Sequence, residues 1–174
     1  PSSALRSVKW IVPEKIALVN AGYDDGSFDY VVNMETKFVA DLGDTSGMFF
    51  MGGVELDEEL RLIGMVGSEF DGPGEMESLA VAKIVDQNGK TLERRAFDDN
   101  LTREYVQVVS DHALMYLRKS SFENKHTDVI YLDFKDGIEK VIYSEDAWLN
   151  NLKLTKDKKR WILVGQNSII MKDI

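Results

Sequence analysis

Lys15-Ile-Ala-Leu-Val-Asn-Ala-Gly-Tyr-Asp-Asp-Gly-Ser-Phe-Asp-Tyr-Val-Val-Asn-Met-Glu-Thr36 is the stretch whose reading decides the fold of this 174-residue chain. Lys15–Val19 is short and rich in Ile, Leu and Val, which suits a strand buried on both faces. Gly22-Tyr-Asp-Asp-Gly26 supplies positions for positive φ and side chains that bond their own backbone, so it reads as a turn. Phe28–Asn33 returns as a second strand, Met34-Glu-Thr-Lys37 turns again, and Phe38–Leu42 makes a third.

The same unit recurs. Arg61-Leu-Ile-Gly-Met-Val66 leads to Ser78-Leu-Ala-Val-Ala-Lys-Ile-Val-Asp86 after a long polar excursion. Ala113-Leu-Met-Tyr-Leu117 leads to Asp128-Val-Ile-Tyr-Leu-Asp133, and Arg160-Trp-Ile-Leu-Val164 to Ser168-Ile-Ile-Met-Lys-Asp173. Taking Ile16, Leu62, Leu114 and Trp161 as equivalent gives spacings of 46, 52 and 47 residues. A period of roughly 40–50 residues with about four strands per unit is the signature of propeller blades. The expected fold is therefore all-β: a single domain over residues 1–174, built as a small or partial β-propeller of about four antiparallel blades. The alternative is an antiparallel β-sandwich or meander barrel whose hairpins resemble one another in composition.

The motif of a polar turn, Lys15-Ile-Ala-Leu-Val19, a Gly/Asp turn and Asp29-Tyr-Val-Val-Asn33 resembles the repeat of TolB-like β-propellers. Asp128-Val-Ile-Tyr-Leu-Asp133 matches the second strand of that repeat more closely. Val12-Pro-Glu-Lys15, Val109-Ser-Asp-His112 and Leu154-Thr-Lys-Asp157 stand where the family carries a Ser-Pro-Asp-Gly turn, and none has it in full. The resemblance covers most of the chain. It implies a non-catalytic scaffold that binds a protein or peptide through loops on one face, in a bacterial protein working outside the cytoplasm, periplasmic or secreted.

Composition sets the outer limits. With 44% hydrophobic and 29% charged residues the chain is an ordinary globular protein rather than a disordered one. No apolar run approaches the roughly 18–20 residues of a membrane-spanning helix. The chain starts at Pro1 rather than Met, as expected of a processed or trimmed product. The absence of Cys excludes disulfides and Cys-based metal or redox chemistry. A net charge of −9 argues against nucleic acid, which needs clustered Lys and Arg. The charge is uneven: residues 1–100 hold 9 basic and 19 acidic side chains, net −10, whereas 101–174 hold 12 and 11, net +1. An acidic amino-terminal half is either a solvated face or a field that steers a basic partner.

Along the chain, Val8–Val12 reads as a first strand with Trp10 as a core or inter-blade aromatic. Glu69-Phe-Asp-Gly-Pro-Gly-Glu-Met-Glu77 is the most distinctive loop, because Pro73 between two glycines cannot continue a ladder. Gln87-Asn-Gly-Lys90 and Lys135-Asp-Gly137 are hairpin signals. Lys156-Asp-Lys-Lys-Arg160 is a basic turn of the solvated kind. The last unit has three recognisable strands. Its fourth is expected from Ser3–Val12, from a longer chain, or from two copies pairing their open edges as a homodimer.

Chemistry is sparse. His112 and His126 lie 14 residues apart at expected turns, without helical metal-ligand spacing. No Gly-x-Ser-x-Gly elbow or phosphate-binding Gly loop is present. Asp24, Asp25 and Asp29 around Gly26 are the calcium candidates, since closely spaced carboxylates supply hard oxygen ligands; no other cofactor is indicated. Asn33 and Asp133 end equivalent strands and are read as turn caps. The contact loops implied by the resemblance are 22–29, 69–77 and 120–126, with Phe70, Asp71 and Met76 as principal binding residues beside Tyr23 and Phe122. The runner-up function is a glycan-active or peptidase-associated propeller enzyme domain, which would need a cleft lined by two or three carboxylates with aromatic platforms. A third is a structural piece of a longer chain.

Overall fold

The structure is a computed structural model that describes residues 4–23, 26–44, 55–56, 61–70, 78–86, 90–99, 101–120, 125–165 and 168–174. At 23, 26–29, 40–44, 55–56, 62, 66–70 and 78–79 it describes the backbone alone. Among these residues the fold is all-β, with no helix. Fifteen strands run in chain order: β1 Ala4–Val12, β2 Ile16–Tyr23, β3 Gly26–Asn33, β4 Phe38–Asp44, β5 Glu55–Leu56, β6 Leu62–Phe70, β7 Ser78–Val85, β8 Thr91–Phe97, β9 Thr102–Ser110, β10 Ala113–Lys119, β11 Thr127–Asp133, β12 Ile138–Glu145, β13 Asn150–Leu154, β14 Arg160–Val164 and β15 Ile169–Asp173. They form four antiparallel meanders, β1-β2-β3-β4, β5-β6-β7-β8, β9-β10-β11-β12 and β13-β14-β15, none closed into a barrel. Each sheet is built from neighbours in sequence, as short turns between alternating apolar runs dictate.

The chain divides into two compact units, Pro1–Phe50 with Val54–Asp98, and Met51–Gly53 with Asp99–Ile174. In the first, Ile16 and Val31 of one sheet pack with Val85 of the next, flanked by Ile11, Val12, Leu18 and Phe38. In the second, Met115, Leu117 and Val129 on one face of the third sheet pack against Leu152, Trp161 and Leu163 of the fourth, with Leu149 from the connection between them. In β11 and β14 alternation sends every second residue into the core, whereas Ala113–Leu117 of β10 is buried on both faces.

The repeat is visible in the turns. Asn33 Oδ1 accepts the N–H groups of Glu35 and Thr36 at 3.0 and 3.1 Å. Asp133 Oδ1 accepts that of Lys135 at 2.9 Å, and Asp86 Oδ1 that of Lys90 at 2.9 Å. The residue before the returning strand has positive φ in two of these turns, Lys37 at 58° and Gly137 at 64°. Asn33 and Asp133 are thus turn caps, as their sequence positions indicate. The register refines the repeat by one residue: Ile16 faces Asn33 as Ala113, not Leu114, faces Asp133. Physically, the cap residue at the hairpin sets the register, and the apolar pattern alone tolerates a slip.

Two expectations are corrected. Ala4–Val12 does not complete the last sheet; it is hydrogen-bonded to β2 through the register Val8↔Val19 and Trp10↔Ala17. Trp10 is not a core residue but lies half-exposed on this edge strand. Side chains alternate between the two faces of a sheet, and Trp10 stands with Ala17 and Val32 on the face opposite the Ile16–Val31 cluster.

Candidate functional site

The second unit holds the best-defined side-chain constellation. Pairing places Arg103, Arg118, Asp128 and Ser144 in one row across β9, β10, β11 and β12. Two arginines directly opposite would repel. Three carboxylates prevent this. Arg103 grips Asp99 with both terminal nitrogens, at 2.7 and 2.8 Å. Arg118 reaches Asp128 Oδ2 at 2.8 Å and Glu139 Oε2 at 3.1 Å. Glu139 Oε1 accepts the Tyr116 hydroxyl and lies 3.4 Å from Arg103 Nη2. Ser144 Oγ donates to Asp128 Oδ1 at 2.6 Å, and His126 bridges Asp128 and Asp146. The network is a chain of charges from Asp99 to Asp146.

Its electrostatics follow from burial. Arg103 and Tyr116 are fully buried. Burial works against the Arg103 charge, but the hydrogen bonds it donates to Asp99 outweigh it and raise its pKa. Burial, then the hydrogen bond to Glu139, pushes the Tyr116 phenol far up, so it stays protonated. The Arg103 hydrogen bond lowers Asp99. At Asp128 burial is opposed and overcome by Ser144, Arg118 and His126, and its pKa falls. Each of these carboxylates is engaged by a cation, so the network clasps four strands in register and leaves no free acid–base pair. A bulge lies opposite Tyr116, where Leu117 pairs with Glu104 and Met115 with Gln107, and Tyr105 takes φ 55° there.

His126 gives a pH signature. Its Nδ1 lies 2.7 Å from Asp146 and its Nε2 3.0 Å from Asp128. The Asp146 hydrogen bond, with Asp128 adding to it, raises its pKa against the effect of burial. A raised folded pKa gives stability that is complete below the unfolded value, about 6.5, and fades as pH rises through the folded value. Wild type should therefore exceed His126→Gln by more at about pH 5.5 than at about pH 8.5. Asp146 is almost fully exposed, so the gain is at most about 1 kcal/mol and shrinks in salt. Paired thermal melts check this; a gap equal at both pH values would refute it.

The second unit also holds two concavities. One, of about 300 Å³, lies where β12 passes to β13, lined by Lys125, Glu145, Asp146, Trp148, Leu149 and Gly165 among others. Thr127 fixes its wall, donating to Ala147 O at 2.7 Å and accepting from Leu149 N at 3.2 Å. An indole and two carboxylates are part of what the glycan-active alternative requires. Both carboxylates are already engaged, Glu145 by the Tyr143 hydroxyl at 2.8 Å and Asp146 by His126.

The other, of about 390 Å³, is a more apolar groove lined by Tyr131, Ile142, Trp161, Lys172, Asp173 and Ile174. Ile142 is the extra residue of a β12 bulge, since Val129 pairs with Tyr143 and Ile130 with Val141. Tyr131 and Trp161 are its aromatic lining; Tyr143 tilts at 54° to Trp161 with centroids 5.8 Å apart, and Lys172 Nζ sits 4.5 Å from the Tyr143 centroid. The groove runs beside β15, the last strand of the three-stranded sheet. On the far face of that sheet, Ile162 pairs with Met171 and Val164 with Ile169, and Ile169, Met171 and Val164 are exposed.

None of the binding residues expected from sequence can be placed against these features. Asp24, Asp25, Asp71, Met76 and Phe122 lie outside the described residues, and so do the side chains of Tyr23, Asp29 and Phe70. Among the described residues no group of three or more His, Asp or Glu could hold a metal. Sequence reading missed the Arg–carboxylate row, because its members are contiguous only through strand pairing. The one signal for it was Asp128 at the head of the motif Asp128-Val-Ile-Tyr-Leu-Asp133.

No protein-family model matches the chain, and no curated protein matches it. Its fold is similar to that of the uncharacterized protein lmo1340 from Listeria monocytogenes EGD-e, at 15% identity and a TM-score of 0.58, over 98% of this chain and 50% of that one. At this identity the likeness concerns fold alone. The chain spans half the length of that protein.

Proposed function

We propose that the four meanders are blades of a partial β-propeller of the TolB-like kind. In this reading the chain is a non-catalytic module that binds an extended peptide or protein segment as an added strand along β15. The observation that carries it is the groove of about 390 Å³ beside β15, lined by Tyr131, Ile142, Trp161 and Lys172, with Ile169 and Met171 exposed on the same strand. A peptide laid along a strand gains affinity from backbone hydrogen bonds and specificity from side-chain pockets. Here alternate ligand side chains would enter the aromatic groove and lie over Ile169 and Met171. The extracytoplasmic location rests on the TolB-like resemblance alone.

The test selects peptides of about eight residues from a random display library against the intact chain, then titrates one into ¹⁵N-labelled protein. Amide shifts are expected to concentrate on 169–173, and Ile169→Asp should weaken binding about tenfold. Shifts confined to 22–29, 69–77 or 120–126 would instead return the binding site to those loops.

A further inference from the structure

The groove beside β15 is set among charges opposite in sign to that of the whole chain. The protein carries net charge −9, yet residues 156–160 hold four basic side chains, Lys156, Lys158, Lys159 and Arg160, against one acidic, Asp157. Ile174 N donates to Lys159 O at 3.0 Å, which fastens this basic turn to the end of the groove that Asp173 and Ile174 line. The Asp157 carboxylate is engaged inside the turn, by the Thr155 hydroxyl at 2.6 Å and Lys159 N at 3.2 Å. On the β11–β12 side, Asp133 and Asp136 are balanced by Lys135 and Lys140, and Lys140 holds Asp136 at 3.1 Å. Glu139 alternates with Lys140 and lies on the opposite face, in the arginine network. Glu145, at the far end of β12, lines the other concavity. On β15, Asp173 stands 3.7 Å from Arg160, whereas Lys172 has its Nζ over the Tyr143 ring and no carboxylate partner among the described residues. The hairpin contributes 0, the turn +3 and the Lys172–Asp173 pair 0, so the surroundings of the groove carry +3.

We propose that the segment bound along β15 is an acidic peptide. One aromatic or large aliphatic side chain fills the groove, and Asp or Glu two positions away on either side meets Lys172 and the 156–160 turn. This rests on the peptide reading above and adds the chemical class of the ligand to it. Size argues for a single apolar residue, since about 390 Å³ lies at the small end of the roughly 300–1,000 Å³ spanned by pockets that take whole small molecules. Strand geometry sets the spacing, because residues i and i+2 of an extended chain share a face and lie about 6.6 Å apart. Charge sets the sign: complementary potentials speed encounter, and like charges turn the wrong partner away.

Synthetic peptides of about nine residues test this. Three share a central Phe and differ only at the two flanking positions, which hold Glu, Gln or Lys. A fourth keeps Glu and replaces the Phe by Ser. Titrated into the ¹⁵N-labelled intact chain at about 50 mM salt, the Glu peptide should bind at least about tenfold tighter than the Lys peptide, with amide shifts on 169–173 and the Gln peptide between them. About 500 mM salt should narrow that gap, because exposed charges are screened. The loss of about tenfold on replacing Phe should persist in salt. Lys172→Glu and, on the exposed turn, Lys159→Glu should each reduce the preference for the Glu peptide by about fivefold or more. Equal binding of the Glu and Lys peptides, with shifts on 169–173, would overturn the acidic class and leave the peptide reading standing. No shifts on 169–173 with any of the four would fail the peptide reading and this inference with it. A single-stranded oligonucleotide that displaces the Glu peptide at equal charge concentration would reveal a general anion patch and also overturn the proposal. Circular dichroism and thermal melts confirm that each variant is folded.

Discussion

Asp99→Ala is expected to destabilise the second unit by about 3–5 kcal/mol, because it strands a buried cation. The Arg103 side chain is fully buried and both its terminal nitrogens are held by Asp99 at 2.7 and 2.8 Å. Without Asp99 the remaining carboxylate is Glu139 at 3.4 Å, which already receives Tyr116 and Arg118. Removing the arginine should cost less than half as much. In Arg103→Met an unbranched apolar chain takes the buried space, and Asp99, at 36% exposure, rehydrates. Urea titrations followed by tryptophan fluorescence measure both, since Trp148 and Trp161 lie in this unit. Equal costs would mean that Arg103 is solvated on opening and the clasp contributes little. The pH dependence has a fixed sign. Asp99 has a lowered folded pKa, so its contribution is present above about pH 4 and lost as pH falls through the folded value. The gap between wild type and Asp99→Ala should close in acid.

Trp161→Ala should cost a similar amount, about 3–5 kcal/mol, for a different reason. The indole is 1% exposed and is the largest side chain between the third and fourth sheets. Its loss leaves a cavity lined by Met115, Leu117, Leu152 and Leu163, which strand pairing holds apart. Tyr143 also loses the ring tilted against it. Trp161→Phe should retain more than half of the lost stability by keeping an aromatic ring there. Equilibrium unfolding of the three proteins checks this, and a cost below about 1 kcal/mol for the alanine variant would show that the sheets close over the gap.

The elements that were legible in sequence are those with local causes. The hairpin pairings β7–β8 and β11–β12, the caps at Asn33 and Asp133, and the exposed turn at 156–160 each depend on residues within a few positions of one another. The strands depend on apolar runs of the right length. The single-residue slip between Ile16 and Ala113 shows where this stops: composition marks a strand, while its register is set by the partner strand. The Arg103–Arg118–Asp128–Ser144 row was invisible for the same reason. Its members are spread over β9 to β12, and only pairing in register brings two arginines side by side and makes Asp99, Glu139 and Asp128 necessary. The reading of Trp10 failed because large aromatic residues are most often buried, and nothing in Val8–Val12 reveals which face of the sheet is covered.

By itself the sequence determined an all-β chain of repeated antiparallel hairpins, because alternation, turn chemistry and cap residues all act over a few positions along the backbone. The tertiary structure decided the register of each strand and which side chains it buries. It also decided which charges must neutralise one another. Those outcomes depend on strands meeting across long sequence separations, where a pair of side chains acquires an energy only once both have been placed.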